Sequence, residues 1–181
     1  MPRYVVLLRG INVGGKNKLS MAALKGALEE LGYSGVSTYI NSGNVVLDSR
    51  KSARAIEAEI EKVLPQKFKL DSELIKVLVL TRAQFKAMVG ARPGGFGDQP
   101  WTYHSDAIFL MGIKAAEAMK VFDPRQGVDA VWPGKGVIYH QRLSAKRTQS
   151  RLSKVVGTPA YKSMTIRSWA TTSKLLELIE K

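Results

Sequence analysis

Apolar residues in the first half of the chain alternate between strand-like and helix-like spacing. The continuous apolar run at residues 4–8 is typical of a strand that is buried on both faces. After it, Ser20 can cap a helix whose apolar residues recur at helical spacing up to Gly32, a common helix stop. The same patterns predict strands at 36–40 and 45–48, a helix at 52–64, a strand at 75–80 and a short helix at 81–89.

The second half of the chain repeats this order of elements without residue-level identity to the first. Its patterns predict a strand at 106–111, a helix at 114–122, hairpin strands at 129–132 and 137–141, a helix at 147–156, a strand at 164–167 and a final helix at 171–179. The segment ARPGGFGDQP at 91–100 is rich in residues that interrupt regular structure. We therefore expect an N-terminal half at 1–90, a connection at 91–104 and a basic C-terminal half at 105–181.

The element order βαββαβ is that of the ferredoxin-like plan, one antiparallel sheet with two helices on one face. We therefore predict an α+β protein of two ferredoxin-like halves with antiparallel sheets, followed by a C-terminal helix. In this topology the loop after the first strand and the turn between the second and third strands share one end of the sheet. The segments RGINVGGKN at 9–17 and NSGN at 41–44 should therefore meet.

Composition restricts the compartment and the chemistry. The chain contains 45% hydrophobic and 24% charged residues, which is ordinary for a globular protein. It has no cysteine, which fits a reducing compartment and excludes thiol nucleophiles and thiolate metal sites. Its apolar runs are too short for a signal peptide or a membrane span. We expect a cytoplasmic protein without a membrane partner.

Positive charge is concentrated in the C-terminal third of the chain. The formal net charge is +13, and residues 130–176 contain nine Lys and Arg residues and no Asp or Glu. Cations interleaved with aromatic residues are typical of nucleic-acid surfaces. The alternative is a solvated helix face above core aromatics. The candidate nucleic-acid surface consists of Arg142, Lys146, Arg147, Arg151 and Lys154. In the predicted helix at 147–156, Arg147, Arg151 and Lys154 lie on one stripe.

The segment at 10–17, GINVGGKN, follows a strand and has the glycine and lysine spacing of a P-loop. Asn17 stands where a P-loop needs Ser or Thr to hold magnesium, and the helix cap comes only at Ser20. We therefore predict an anion-binding loop, in which backbone N–H groups around Gly14 and Gly15 meet a phosphate or carboxylate. The alternative is structural: the glycines permit a turn and the asparagines satisfy the loop backbone.

Conventional catalytic groups are sparse, so the catalytic residues of any enzymatic activity stay unassigned, and we predict no metal site and no cofactor. The two histidines, His104 and His140, lack a metal-ligand partner at helical spacing, and HSD at 104–106 cannot converge as a hydrolase triad. The segments at 108–113 and 135–142 match RNA-recognition motifs poorly. The candidate ligand-binding residues are Arg9, Asn12, Gly14, Gly15, Lys16, Asn17, Asn41, Ser42, Asn44 and Arg167.

Three motifs resemble those of the bacterial family named domain of unknown function 1697. They are RGINVGGKN, TYINSGNVV at 38–46 and TIRSWATTSKLLEL at 165–178. The third departs from the family pattern, because Ser168 and Ala170 stand where the family has Asn on both sides of the tryptophan. The resemblance implies a cytosolic bacterial protein with paired ferredoxin-like halves, and it implies no activity.

These features favour a protein that binds a phosphate-bearing ligand, a nucleotide or nucleic acid, with the 9–17 and 41–44 segments as the specific site and the basic surface as an auxiliary. One alternative is an enzyme acting on a small anionic metabolite held by Arg9, Lys16 and Arg167. Another is a partner-binding structural protein. The sequence leaves the oligomeric state open.

Overall fold

The strands and helices of the chain follow the predicted order. The computed structural model describes residues 1–71 and 75–181. The elements are β1 (Arg3–Arg9), α1 (Met21–Glu30), β2 (Ser34–Tyr39), β3 (Asn44–Asp48), α2 (Ala53–Lys67), β4 (Lys76–Thr81), α3 (Arg82–Gly90), β5 (Tyr103–Leu110), α4 (Ala115–Ala118), β6 (Asp129–Gly134), β7 (Val137–Leu143), α5 (Leu152–Val156), β8 (Met164–Ser168) and α6 (Trp169–Glu180).

The chain divides into two compact units. The first unit consists of Met1–Lys86 with Lys174–Lys181, and the second unit consists of Ala87–Ser173. Within the described residues, none of the helices combines the length and apolar content needed to cross a membrane.

The sheet of the first unit has the strand order β2-β3-β1-β4 with antiparallel neighbours. Alternate residues of β1 face the two main helices, because side chains alternate across a strand. The serines predicted before these helices cap them: the hydroxyl of Ser20 accepts from the amide of Ala23, and that of Ser52 from Ala55. The core of this layer includes Tyr4, Val6, Leu8, Leu24, Leu28, Ile56 and Ile60.

The sheet of the second unit has the corresponding order β6-β7-β5-β8, again with antiparallel neighbours. The short helices α4 and α5 cover one face, with a core of Ile108, Leu110, Ala118, Ile138, Val155 and Met164. Two four-stranded sheets with the predicted pairing confirm the α+β class and the ferredoxin-like order in both units.

The predicted helix at 147–156 is wrong in its first half. A 3-10 helix occupies Ser144–Gln149, Ser150 is extended with φ −62° and ψ 140°, and only Leu152–Val156 is α-helical. The cause is Asp129, whose carboxylate accepts from the Ser150 hydroxyl at 2.6 Å and from the Arg151 amide at 2.9 Å. Bonds between a side chain and the backbone here replace bonds of a helix. The predicted helix at 114–122 is likewise α-helical only at Ala115–Ala118 and continues as a 3-10 helix.

Candidate functional site

The glycine loop at 9–17 and the turn at 41–44 meet at one end of the first unit's sheet, as predicted. The side-chain amide of Asn12 donates to the carbonyl of Asn41 at 2.8 Å. Beside this bond, the Leu8 amide donates to the carbonyl of Gly43 at 2.9 Å. The two segments therefore form one continuous surface.

The conformation of the glycine loop follows from its Gly and Asn residues. Asn12 and Asn17 have φ values of 53° and 49°, and Gly14 and Gly15 have 57° and 77°. Glycine and asparagine are the residues that most readily adopt this left-handed region. A bond of 3.0 Å from the Lys16 amide to the Val13 carbonyl closes the turn around the two glycines. The tip of the loop is therefore a tight, exposed turn.

Three of the predicted asparagines hold the backbone in place. Asn12 donates to the carbonyl of Leu19 and accepts from its amide, both at 2.8 Å. The side chain of Asn17 donates to the Gly10 carbonyl at 2.7 Å, and that of Asn44 to the Tyr39 carbonyl at 3.1 Å. The structural alternative therefore describes these side-chain amides well. The exposed predicted residues at this end of the sheet are Gly14, Gly15, Lys16, Asn41 and Ser42.

A carboxylate that the sequence interpretation missed contacts the glycine loop. The Asn17 amide donates to Oδ2 of Asp71 at 2.6 Å. Arg9 at the end of β1 is paired in register with Lys76 at the start of β4. Because β4 is antiparallel to β1, the connection that precedes β4 returns to the end of the sheet where the glycine loop begins. The predicted topology therefore contained a signal for Asp71, one of the two acidic residues in the sequence of that connection.

Two exposed apolar residues flank the contact between the glycine loop and the turn. Val13 is 63% exposed at the tip of the loop, and Ile40 is 50% exposed before the turn. Ile40 also has a φ of 46°, which is unfavourable for a β-branched residue. The surface thus combines strained and apolar groups with the exposed cations Lys16 and Lys18.

Arg167 belongs to the second unit and is almost completely buried. Its guanidinium donates to the Thr165 hydroxyl and to the Ile166 carbonyl, both at 2.8 Å. Burial lowers the pKa of Arg167 to about 10. At 8% exposure it is poorly placed to reach an external ligand without rearrangement.

Acidic residues from earlier in the chain neutralise part of the predicted basic surface. Arg151 lies 2.5 Å from Oδ2 of Asp123, and Lys154 lies 3.9 Å from the same oxygen. Arg142 lies 3.4 Å from the buried carboxylate of Asp106. Counting charge along the sequence misses such pairs, because their partners are distant in the chain.

Lys146 and Arg147 are exposed in the 3-10 helix at Ser144–Gln149. The extended conformation of Ser150 separates them from α5, so the predicted stripe shared by Arg147, Arg151 and Lys154 is not formed as one helical face.

The aromatic residues interleaved with these cations belong largely to a buried cluster around Phe96. The Phe96 ring makes edge contacts with Trp132, Tyr139 and Trp169 at centroid distances of 6.0, 5.5 and 5.1 Å. Tyr139 and Trp169 are 1% and 8% exposed, so their faces are not available for stacking on bases. The cluster also gives the Gly/Pro-rich segment at 91–100 a packing role, since it supplies Phe96.

A buried polar cluster connects three strands of the second unit. The His140 ring lies between two carboxylates, with Nε2 3.2 Å from Oδ1 of Asp129 and Nδ1 3.9 Å from Oδ2 of Asp106. Burial favours a higher pKa for Asp129, but hydrogen bonds from Ser150 and from two backbone amides outweigh it and lower the pKa. Across residues 1–71 and 75–181, His, Asp and Glu do not assemble into a group of three or more that could hold a metal ion.

Comparisons with known proteins agree with this architecture. The sequence profile described as "Protein of unknown function (DUF1697)" matches residues 1–139, which include the glycine loop and the 41–44 turn. The fold is similar to that of the conserved bacterial protein SP0830 from Streptococcus pneumoniae, with 25% identity, a TM-score of 0.78 and coverage of 98% of each chain. No curated protein matches the sequence. Because the profile covers most of the chain, the protein belongs to the DUF1697 family of unknown function.

Proposed function

We propose that the protein binds a phosphate-bearing ligand, a nucleotide or nucleic acid, at the glycine loop of the first unit. The observation that carries the proposal is the 2.6 Å bond from the Asn17 amide to the Asp71 carboxylate. The backbone amide of Asn17, a residue in the left-handed conformation, thus binds the Asp71 carboxylate of the same chain. Phosphate oxygens bind to such amides by the same interaction.

The exposed lysines of the loop supply the charge that a phosphate ligand requires. Lys16 lies at the tip and Lys18 directly follows the loop, and both are exposed. Exposed ammonium groups contribute to phosphate binding through charge, with little geometric demand. Because they act as point charges in high dielectric, the proposed binding should depend strongly on salt.

Asp71 is part of the proposed mechanism as a competitor. Its negative charge partly compensates the two lysines and occupies the Asn17 amide. A phosphate at this amide would displace the carboxylate, so the affinity of the site would be moderate. The auxiliary surface at Lys146 and Arg147 in the second unit would add affinity for a polyanion by charge alone.

Titration of ATP and of single-stranded RNA across salt concentrations tests this function. For RNA, the logarithm of the association constant should fall linearly with the logarithm of salt concentration, by about 0.7 for each phosphate contact. ATP binding without RNA binding would restrict the ligand to nucleotides. Low salt, on the order of 20 to 50 mM, screens exposed charges only weakly. Failure of both ligands to bind at this salt concentration would reject the proposal.

A second candidate, partner binding, is favoured by the exposed apolar residues at the same end of the sheet. The side chains of Val13 and Ile40 are apolar, which favours burial, yet both are exposed. A double variant, Val13→Ser with Ile40→Asn, separates the two functions. It should weaken a protein–protein interaction and leave ATP binding unchanged, because the lysines and the Asn17 amide are retained.

A further inference from the structure

The second unit contains a cavity that the proposed function does not use. Its volume is about 560 Å³, within the range typical of small-molecule sites. The beginning of β5 forms one wall with Tyr103, His104 and Ser105. The beginning of α6 forms another with Trp169 and Ala170.

Ser105 gives the cavity a polar group without a protein partner. The residue is only 7% exposed, and within the described part of the chain its hydroxyl has no hydrogen-bond partner. A buried hydroxyl in this state destabilises the folded protein and is uncommon in native structures. Because Ser105 lines the cavity, a ligand atom in the cavity could provide the absent partner.

The first turn of α6 lies at the same cavity and favours negative charge. The Ser168 hydroxyl accepts from the Thr171 amide at 3.2 Å and so caps the helix. Trp169 and Ala170 begin the helix, and the amides of a first turn have no acceptor within their helix. These amides carry partial positive charge and bind oxyanions readily.

Two further side chains at the cavity are held in fixed positions. Arg92 donates to the Phe96 carbonyl at 2.8 Å, pairs with Asp98 at 3.1 Å and lies 5.7 Å from the centre of the Trp169 ring. His104 lies with Nε2 3.1 Å from Oδ1 of the buried Asp106 carboxylate. In the neutral ring this contact places the proton on Nε2 and leaves Nδ1 as an acceptor.

We propose that this cavity binds a small molecule that carries a carboxylate or phosphate group. The oxyanion would accept from the Ser105 hydroxyl and from the first-turn amides of α6, with Arg92 supplying positive charge. The indole of Trp169 and the ring of Pro100 would contact the apolar part of the molecule. Ser105 and the first turn of α6 both line the cavity and provide independent reasons for it to hold an oxyanion.

Isothermal titration of the full chain with phenyl phosphate, benzoate and benzamide tests this site. The three probes share a ring and differ in the charged group, so phenyl phosphate and benzoate separate the two kinds of oxyanion and benzamide is the neutral control. At least one anion should bind, and benzamide should bind at least tenfold more weakly. Equal binding of all three probes, or of none at millimolar concentration, would overturn the proposal.

Variants then place the binding in the cavity. Ser105→Ala should weaken binding of the anion by about tenfold and leave the melting temperature of the free protein unchanged or higher, because the hydroxyl it removes has no partner. Ala170→Phe at an exposed position should block the cavity, whereas Ser153→Ala should leave the affinity unchanged. An affinity that is lost in Lys16→Ala and retained in both cavity variants would assign the anion to the glycine loop instead.

Discussion

The backbone amide of Asn17 donates to the carboxylate of Asp71 at 2.6 Å, across 54 positions of sequence. The two residues lie on separate connections that the antiparallel pairing of β1 with β4 brings to one end of the sheet. A backbone amide of the glycine loop therefore binds a carboxylate of the same chain. Removing that charge, without disturbing the loop, should reveal the affinity of the loop for an external one.

Asp71→Asn is predicted to strengthen ATP binding. The amide oxygen of asparagine can still accept from the Asn17 amide, while the negative charge is removed. A unit charge about 4 Å from the phosphate is worth about 1 kcal/mol in water, so the affinity should rise roughly fivefold. Isothermal titration at low salt measures the change, and Glu29→Gln, at an exposed position of α1 in the same unit, is the charge-matched control. A decrease in affinity would indicate that Asp71 supports the ligand and does not compete with it.

Asn12→Ala is predicted to destabilise the protein by about 2 to 4 kcal/mol, because three backbone groups lose their side-chain partner. These groups are the amide and carbonyl of Leu19 and the carbonyl of Asn41. Urea unfolding measures the loss. The matched control is Asn41→Ala, which removes an exposed side chain and retains the backbone carbonyl, and it should change stability by about 0.5 kcal/mol at most. Equal losses in the two variants would contradict the assigned role of Asn12.

Gly43→Ala is predicted to destabilise the protein by about 2 kcal/mol or more, through both a φ of 71° and steric contact. An added Cβ would lie 2.9 Å from the Ile11 Cδ1 atom and 2.9 Å from the Leu8 Cβ atom. Gly26→Ala in α1 is the control, since a Cβ there meets no atom within 4 Å and helix propensity favours alanine. Thermal unfolding should show a lower melting temperature for the first variant and an equal or higher one for the second.

The stability of the second unit should decrease in acid through Asp129. The pKa of this carboxyl is lowered from 3.8, because hydrogen bonds to the charged form outweigh the opposing effect of burial. A group with a lowered pKa in the folded state stabilises it fully above the unfolded pKa and loses this contribution as the pH falls. The free-energy difference between wild type and Asp129→Asn, measured by urea unfolding, should therefore shrink as the pH falls below about 4. A difference that grows in acid would contradict the assigned hydrogen bonds.

The order of the elements could be predicted from the sequence because it depends on local signals. The contact between the glycine loop and the 41–44 turn then followed from that order. Ser20 and Ser52 marked helix starts that the structure confirms. The glycine loop and the 41–44 turn met because topology alone places them at one end of the sheet.

The features that the sequence did not predict depend on contacts between distant residues. Asp129 interrupts the helix predicted at 147–156 by bonding to Ser150 and Arg151. Phe96 lies in a segment whose glycines and prolines suggested only a connection, yet the residue is 1% exposed. Asp71 lies in the connection before β4, which only the topology of the sheet brings to Asn17. No local spacing encodes any of these partners, so composition and periodicity could not identify them.

The most direct test of anion binding at the glycine loop uses a double variant that carries both Lys16→Ala and Lys18→Ala. Its RNA binding is compared with that of the wild type in titrations at several salt concentrations. The exposed Lys62 of α2 provides the control, Lys62→Ala, which removes a lysine of the same unit outside the loop. The double variant should bind single-stranded RNA more weakly at low salt, and its salt slope should be less steep by about 0.7 for each lysine removed. The control should match wild type. If the double variant and the wild type have the same affinity and the same salt slope, the claim that the glycine loop binds anions is contradicted.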